Sequence, residues 1–344
     1  MRLDLSARGW MSLLYHGAKA VDALRASLEL GLLERLDAGP ASLGELSERL
    51  AAVPGRLYKL LDCLESLGLV ERVEAGESLG ATRYRAVEPL HAAALAVLGP
   101  ASIERGRDGQ DGWRQIHGRL AEVVRGAHGI GEDAFSWPPR TPAQLASFED
   151  SMAMGCPPIA ESFVAAAAMI WGDLAGRPVR LLDVGGGDGT LARHLIESHP
   201  WLHVDVYNLP ALAPLVERQR ARSAAPEQLG FVGGDFLAEP LPRGYHALSF
   251  VRVLHDWPAE VARTLLAKAF AALPPGGRLF ICEELRTSER LAIQFFWSYF
   301  LIGVDSCVSR LRDADSYLTT LSAIGFTDAR VVSGPFDVIV AVRP

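Results

Sequence analysis

An α/β architecture is predicted: an open, parallel sheet in the C-terminal half, behind a mainly helical N-terminal part. Three observations predict it. Residues 178–184 form a short apolar run, as a strand covered on both faces requires. They lead directly into Gly185-Gly186-Gly187-Asp188-Gly189, after which Leu191, Leu195 and Ile196 fall at helical spacing, so Thr190 opens a helix. From Val179 onward strand-like and helix-like segments alternate, the pattern of an open sheet with crossover helices.

Taken in order, residues 18–36 carry Val21, Leu24, Leu28, Leu32, Leu33 and Leu36 at helical spacing, and Gly39-Pro40 stops them; one helix is expected. Ser42-Leu43-Gly44-Glu45 reads as a capping box that opens a short helix. Pro54 opens the next, which carries Leu57, Leu60, Leu61 and Leu64 and ends at Gly68. Leu69-Val70 then enters a hairpin that returns through Tyr84-Arg85. Helix, helix, helix and ribbon is the order of a winged helix, which by itself suggests DNA binding. Yet residues 41–88 hold six Lys/Arg against eight Asp/Glu, and phosphate attraction dominates such binding. A packing and dimerisation module is expected instead. It would form a homodimer through the N-terminal helices, with no nucleic-acid partner.

Residues 89–171 read as helices and loops. A polar break falls at 106–112, a helix at 113–124, a loop at 126–140, and Pro142 opens another helix. Trp113, Phe148 and Met152 belong either to a core or to the wall of a substrate cavity, since such cavities are largely apolar. They are the candidates for acceptor binding. The expected division is therefore 1–100 for the dimerisation domain, 101–172 for a helical linker contributing to the cavity, and 173–344 for the sheet domain.

Further strands are expected at 203–207, 229–232, 247–254, 277–282, 329–332 and 337–342. Those of the central sheet end in Asn208-Leu209-Pro210, Gly233-Gly234-Asp235-Phe236, His255-Asp256-Trp257-Pro258 and Glu283-Glu284. Ligands of open sheets bind outside the carboxyl ends of the strands, so these clusters point to one site.

The totals exclude several classes. There are 34 Lys+Arg against 41 Asp+Glu, a net charge of −7, which argues against a nucleic-acid partner. Cys63, Cys156, Cys282 and Cys307 form no C-x-x-C pair, which suits a reducing cytoplasm and gives no zinc pattern. The first residues lack the apolar core of a signal peptide. The apolar runs 163–171 and 295–304 are shorter than the roughly 20 residues that cross a bilayer. A cytoplasmic protein without membrane association is expected.

By these residues the chain resembles the small-molecule O-methyltransferases of plant and bacterial specialised metabolism, such as the caffeic acid and the anthracycline or naphthoate methyltransferases. The matching pieces are Asp-Val-Gly-Gly-Gly at 183–187, Asn-Leu-Pro at 208–210, Gly-Gly-Asp-Phe at 233–236, Leu-His-Asp-Trp-Pro at 254–258 and Pro-Gly-Gly-Arg-Leu at 275–279. The resemblance implies a winged-helix dimerisation domain before a Rossmann-like, seven-stranded domain that binds S-adenosylmethionine (SAM). It implies that the turn headed by Asp183, with Gly185 and Gly187, holds the amino-acid part of SAM. Asn208 stands where the family has a ribose-binding acid; an amide cannot make two charge-assisted hydrogen bonds there. Asp235 would meet the adenine amine and Phe236 its ring, with Ser249 a further cofactor candidate.

A phenol accepts a methyl group poorly until it loses its proton, so a base within hydrogen-bond reach is needed. The resemblance makes His255 that base and Glu283 the carboxylate that orients it. The position of a second family carboxylate holds Leu311, flanked by Arg310 and Arg312. These arginines are expected at the surface; either one facing the cavity would suit an acidic acceptor. Neighbours on extended chain point to opposite sides, so Asp256 should face away from the site. No metal is expected, since a non-haem iron site would need a second histidine that residues 295–303 do not supply. The alternatives are C-methylation of an α-keto acid or an activated aromatic carbon, and a SAM-sensing winged-helix regulator.

Overall fold

The periodic leucines near the N-terminus form two helices, not one. Gly31 adopts φ +73° and breaks the run into α2 (Gly17–Glu29) and α3 (Leu32–Asp37), preceded by α1 (Ala7–Tyr15). The computed structural model describes residues 7–74, 79–100, 114–131, 139, 141–286, 295, 298–299, 302–304 and 311–344. The chain divides into two units, residues 1–110 and 111–344.

In the first unit a short β1 (Ala41–Ser42) precedes α4 (Leu43–Arg49), whose capping box is present: Ser42 accepts from Glu45 N–H, and the Glu45 carboxylate accepts from Ser42 N–H. Then follow α5 (Pro54–Ser66), β2 (Val70–Glu74), β3 (Arg83–Ala86) and α6 (His91–Leu98). The three strands pair antiparallel in the order β1-β3-β2, so the expected ribbon is present. Leu32, Leu36, Leu46, Leu61, Leu64 and Tyr84 are fully enclosed between helices and ribbon. The Asp37 carboxylate accepts from Leu90 and His91 N–H and ties α6 to this core. In contrast, Trp10, Met11, Leu14 and Tyr15 of α1 are all more than half exposed.

The second unit begins with helices. A helix was expected over 113–124, but only α7 (Leu120–Val124) is α-helical; residues 114–115 are 3₁₀, 116–118 form a turn, and Trp113 lies outside the described residues. Next come α8 (Pro142–Ala153), α9 (Cys156–Ala165) and α10 (Ala167–Trp171). Thr141 and Gln144 form a capping box that, with Pro142, starts α8. The sheet follows as β4 (Val179–Val184), α11 (Thr190–Ser198), β5 (Leu202–Asn208), α12 (Ala213–Arg222), β6 (Leu229–Gly233), β7 (Ala247–Val251), α13 (Ala259–Ala272), β8 (Arg278–Cys282), α14 (Ala314–Ile324), β9 (Thr327–Val332) and β10 (Val338–Val342).

The seven strands lie in the order β6-β5-β4-β7-β8-β10-β9. Strands β4 to β8 pair in parallel, while β10 runs antiparallel to both β8 and β9. The sheet is thus mixed, not wholly parallel. Only five residues join β9 to β10, too few for the crossover that a parallel pair requires. From β4 the chain moves outward to β5 and β6, then returns to the other side for β7 and β8. The carboxyl ends of β4 and β7 therefore open a crevice at the point where strand order reverses. Both faces of the sheet are packed, one by Phe163, Trp171 and Phe280, the other by Leu248, Phe250 and Leu265. No described helix is long and apolar enough to cross a membrane.

Candidate active site

The turn after β4 is shaped by what a side chain would strike. Gly185, Gly187 and Gly189 all have positive φ. A Cβ on Gly185 would lie 2.7 Å from Val253 and 3.6 Å from the Phe236 ring. A Cβ on Gly187 would collide with the Glu149 carboxylate of α8. The turn therefore presents bare backbone at Gly185 and Gly187, beside the start of α11. Asp188 supports the turn from within: it accepts from Thr190 N–H, the Thr190 hydroxyl and the Gln219 amide.

Asp183 and Ser249 meet beneath the turn. Ser249 Oγ donates to Asp183 Oδ1 at 2.7 Å, while Asp183 Oδ2 is buried with no hydrogen-bond partner among the described residues. Burial pushes the Asp183 carboxyl up to about 6, against the Ser249 hydrogen bond and the Arg252 charge, which pull it down. Ser249 thus spends its hydroxyl on Asp183. At the end of β5, Asn208 Oδ1 accepts from Leu209 N–H at 2.8 Å, which orients the amide. After β6, Asp235 accepts from Leu237 N–H through Oδ1. Phe236 stacks edge-on against Trp257, with ring centres 6.1 Å apart. Lys268 of α13 donates to the carbonyls of Phe236, Leu237 and Glu239, each at 2.8 Å, and so fixes this loop. Neighbouring residues in the sequence gave no sign of that lysine's role.

Strand β7 ends three residues before its expected end. Arg252 takes φ +55°, and Leu254–Asp256 coil into a single 3₁₀ turn. This turn buries His255 against Glu283, which follows β8. Glu283 Oε1 accepts from Val253 N–H at 3.0 Å and Leu254 N–H at 2.7 Å; Oε2 bonds His255 Nδ1. One carboxylate therefore sets both the path of the loop and the orientation of the ring. Asp256 does not face away as expected: its Oδ1 lies 3.3 Å from His255 Nε2. The alternation rule applies to extended chain, and a 3₁₀ turn puts adjacent side chains at about 120° instead. Burial disfavours the imidazolium, but the charges of Glu283 and Asp256 and hydrogen bonds to both outweigh it. His255 therefore titrates well above the usual imidazole range.

Arg312 is not a free surface residue. It donates to the carbonyls of Leu254 and Trp257, at 2.8 and 2.5 Å, and clamps the turn that carries His255. Arg310 lies outside the described residues. Phe148 and Met152 both sit on α8, one turn apart. The Met152 carbonyl accepts from Arg252 at 2.5 Å, which ties the end of α8 to the end of β7. No group of three or more His, Cys, Asp or Glu among the described residues is arranged to hold a metal.

The seven-stranded sheet, with a bare glycine turn at its switch point, has the architecture of an α/β domain that binds a nucleoside cofactor. The O-methyltransferase domain family matches residues 114–327, and the O-methyltransferase dimerisation domain matches residues 12–88. The chain belongs to this O-methyltransferase family; it is an enzyme, and its methyl donor is SAM. The N,N-dimethyltransferase OxyT of Streptomyces rimosus is 32% identical over 91% of this chain and 88% of its own. The tetracenomycin polyketide synthesis 8-O-methyl transferase TcmO of Streptomyces glaucescens is 27% identical over 97% of this chain and 95% of its own. The solved SAM-dependent methyltransferase SibL shares the fold, with a TM-score of 0.66 at 24% identity over 97% of this chain and 98% of that one. The bare backbone of Gly185 and Gly187 is compatible with the amino-acid end of SAM; the space a Cβ would take there is already held by Val253 and the Glu149 carboxylate.

Proposed function

We propose that this enzyme methylates a hydroxyl of an aromatic or polyketide-type small molecule, with His255 as the general base. The buried His255–Glu283 pair beside the glycine turn carries the reading. Bound at the turn, SAM supplies an electrophilic methyl group. Gly185 and Gly187 then offer backbone to its amino-acid part, and Asn208, Asp235 and Phe236 receive its nucleoside. Phe148 and Met152 of α8 wall the acceptor site and exclude water. His255 Nε2 takes the hydroxyl proton as the nucleophile forms, while Glu283 keeps the ring oriented and stabilises the imidazolium. The acceptor hydroxyl would take the place that the Asp256 carboxylate holds against Nε2. Polyketide methylation by TcmO supports this acceptor class. An amine acceptor is the second reading, favoured by OxyT. Mass spectrometry of reactions with SAM and a panel of phenols, arylamines and keto acids tests the reading. Oxygen-methylated phenols are expected, and methyl transfer to the amines or keto acids alone would overturn it.

Glu283→Gln should keep SAM binding but slow methyl transfer about 10- to 100-fold, the usual worth of one hydrogen bond to a charged group. It removes one negative charge from beside His255, so the pH at which the rate rises should move down. A rate lowered with no change in that pH would assign Glu283 to loop structure alone.

The family's dimerisation domain and the exposed Trp10, Met11, Leu14 and Tyr15 of α1 support a homodimer formed through the N-terminal helices. Obligate interfaces of this kind bury about 2,000 Å² or more. Light scattering at micromolar concentration should report twice the 37.1 kDa chain mass; a monomer there would refute the homodimer.

A further inference from the structure

Glu149 is the acid that neither the motifs nor the reaction accounts for. It sits on α8 on the same face as Leu145 and Met152, and it is only 7% exposed. Its carboxylate makes one hydrogen bond among the described residues, accepting from Asp188 N–H at 3.1 Å. A carboxylate can accept about four, so this group is under-used for its burial. Gly187 is bare where Glu149 Oε2 approaches, so helix and turn are fitted to each other. The charges around it are also informative. Asp188, on the turn, is committed to Thr190 and Gln219. Arg252, at the end of β7, is committed to the Met152 carbonyl and the Cys156 sulfur. Asp150, next along α8, adds further negative charge. When Glu149 and Asp188 are both ionised, two negative charges face the single positive charge of Arg252, which also acts on Asp183.

We infer that Glu149 receives the α-ammonium group of the cofactor's amino-acid end, over the glycine turn. This rests on the placement of SAM at that turn. A primary ammonium supplies three donors and one positive charge, which matches the unused oxygen positions and the excess charge. Burial, then the Asp188 charge, push the Glu149 carboxyl up to about 7, partly offset by its Asp188 N–H hydrogen bond and Arg252. An ammonium arriving beside it favours the ionised form, so binding should expel a proton to solvent. At pH 7 that release is about half a proton per site.

The test is calorimetry on wild type and Glu149→Gln with three ligands: SAM, S-adenosylhomocysteine, and 5′-methylthioadenosine, which lacks the amino-acid end. In the variant, SAM and S-adenosylhomocysteine should each bind about 10- to 100-fold more weakly, as expected for loss of one charge-assisted contact. Methylthioadenosine should bind as in wild type, which also shows that the variant is folded. Titrations in two buffers of different ionisation enthalpy should find the proton release in wild type and none in the variant. Equal losses for all three ligands would make Glu149 a support of the turn only. Loss for SAM but not for S-adenosylhomocysteine would assign it to the sulfonium; unchanged binding of all three would remove it from the site. Each of these overturns the inference. Gly187→Val, measured alongside, tests the underlying placement: if it binds all three normally, the cofactor does not lie at this turn.

Discussion

Replacing His255 with alanine is expected to leave SAM binding intact and to slow methyl transfer about 10²–10⁴-fold, the range that general-base catalysis contributes. The residue is buried to 7% exposure, so its ring is held by contacts and not by chance. Nδ1 is engaged by Glu283 inside the protein, while Nε2 faces Asp256, the carboxylate that an acceptor hydroxyl would replace. The alanine variant keeps Glu283 bonded to Val253 and Leu254 N–H and keeps the Arg312 clamp on Leu254 and Trp257. The loop should therefore retain its path, and the loss should fall on the chemical step. Single-turnover rates with SAM and acceptor both saturating measure that step directly. A loss confined to KM would instead make His255 an acceptor-binding group.

The second large effect belongs to the glycine turn. Gly187→Val should abolish measurable SAM binding, which in the wild type should be roughly micromolar. Gly187 has φ +57°, a conformation that costs a residue with a Cβ about 1–2 kcal/mol. The new Cβ would also meet Glu149 Oε2. Relief requires the Glu149 carboxylate to swing away or the turn to shift, and the valine side chain itself stands over the turn. Calorimetry checks the loss, and circular dichroism checks that the sheet persists. Wild-type affinity in this variant would place the cofactor elsewhere.

Much of the site is legible in the sequence because strand ends in an open sheet are adjacent in space whatever lies between them. Asp183, Asn208, Asp235, His255 and Glu283 are scattered over about a hundred residues, yet each lies at or just past the end of a recognisable apolar strand. Parallel topology then brings those ends to one edge. The features that were not legible depend on backbone turns or on distant partners. The break at Gly31 hid inside a continuous leucine pattern, because a positive φ leaves no trace in spacing. Asp256 turned toward His255 because Arg252 ends β7 early, and an arginine is not a residue expected at positive φ. Arg312 reads as a surface cation until its two carbonyl partners, more than fifty residues upstream, are in place. Glu149 carried one signal, an acid on an otherwise apolar helical face between Leu145 and Met152. Its meaning depended on the glycine turn nearly forty residues away.

The most direct test of the central claim is the pH dependence of single-turnover methyl transfer to a simple phenol, in wild type and in His255→Ala. In the folded enzyme the charge of Glu283, with that of Asp256 before the acceptor arrives, outweighs burial and holds the imidazole proton on well above its ordinary pH, so the neutral base appears only as pH rises through that raised value. The wild-type rate should therefore climb with pH, with its midpoint above the usual imidazole range near 6.5. The alanine variant should lack that limb and rise only with ionisation of the phenol itself. The same limb in both proteins, at comparable rates, would contradict the account and give the proton to another group.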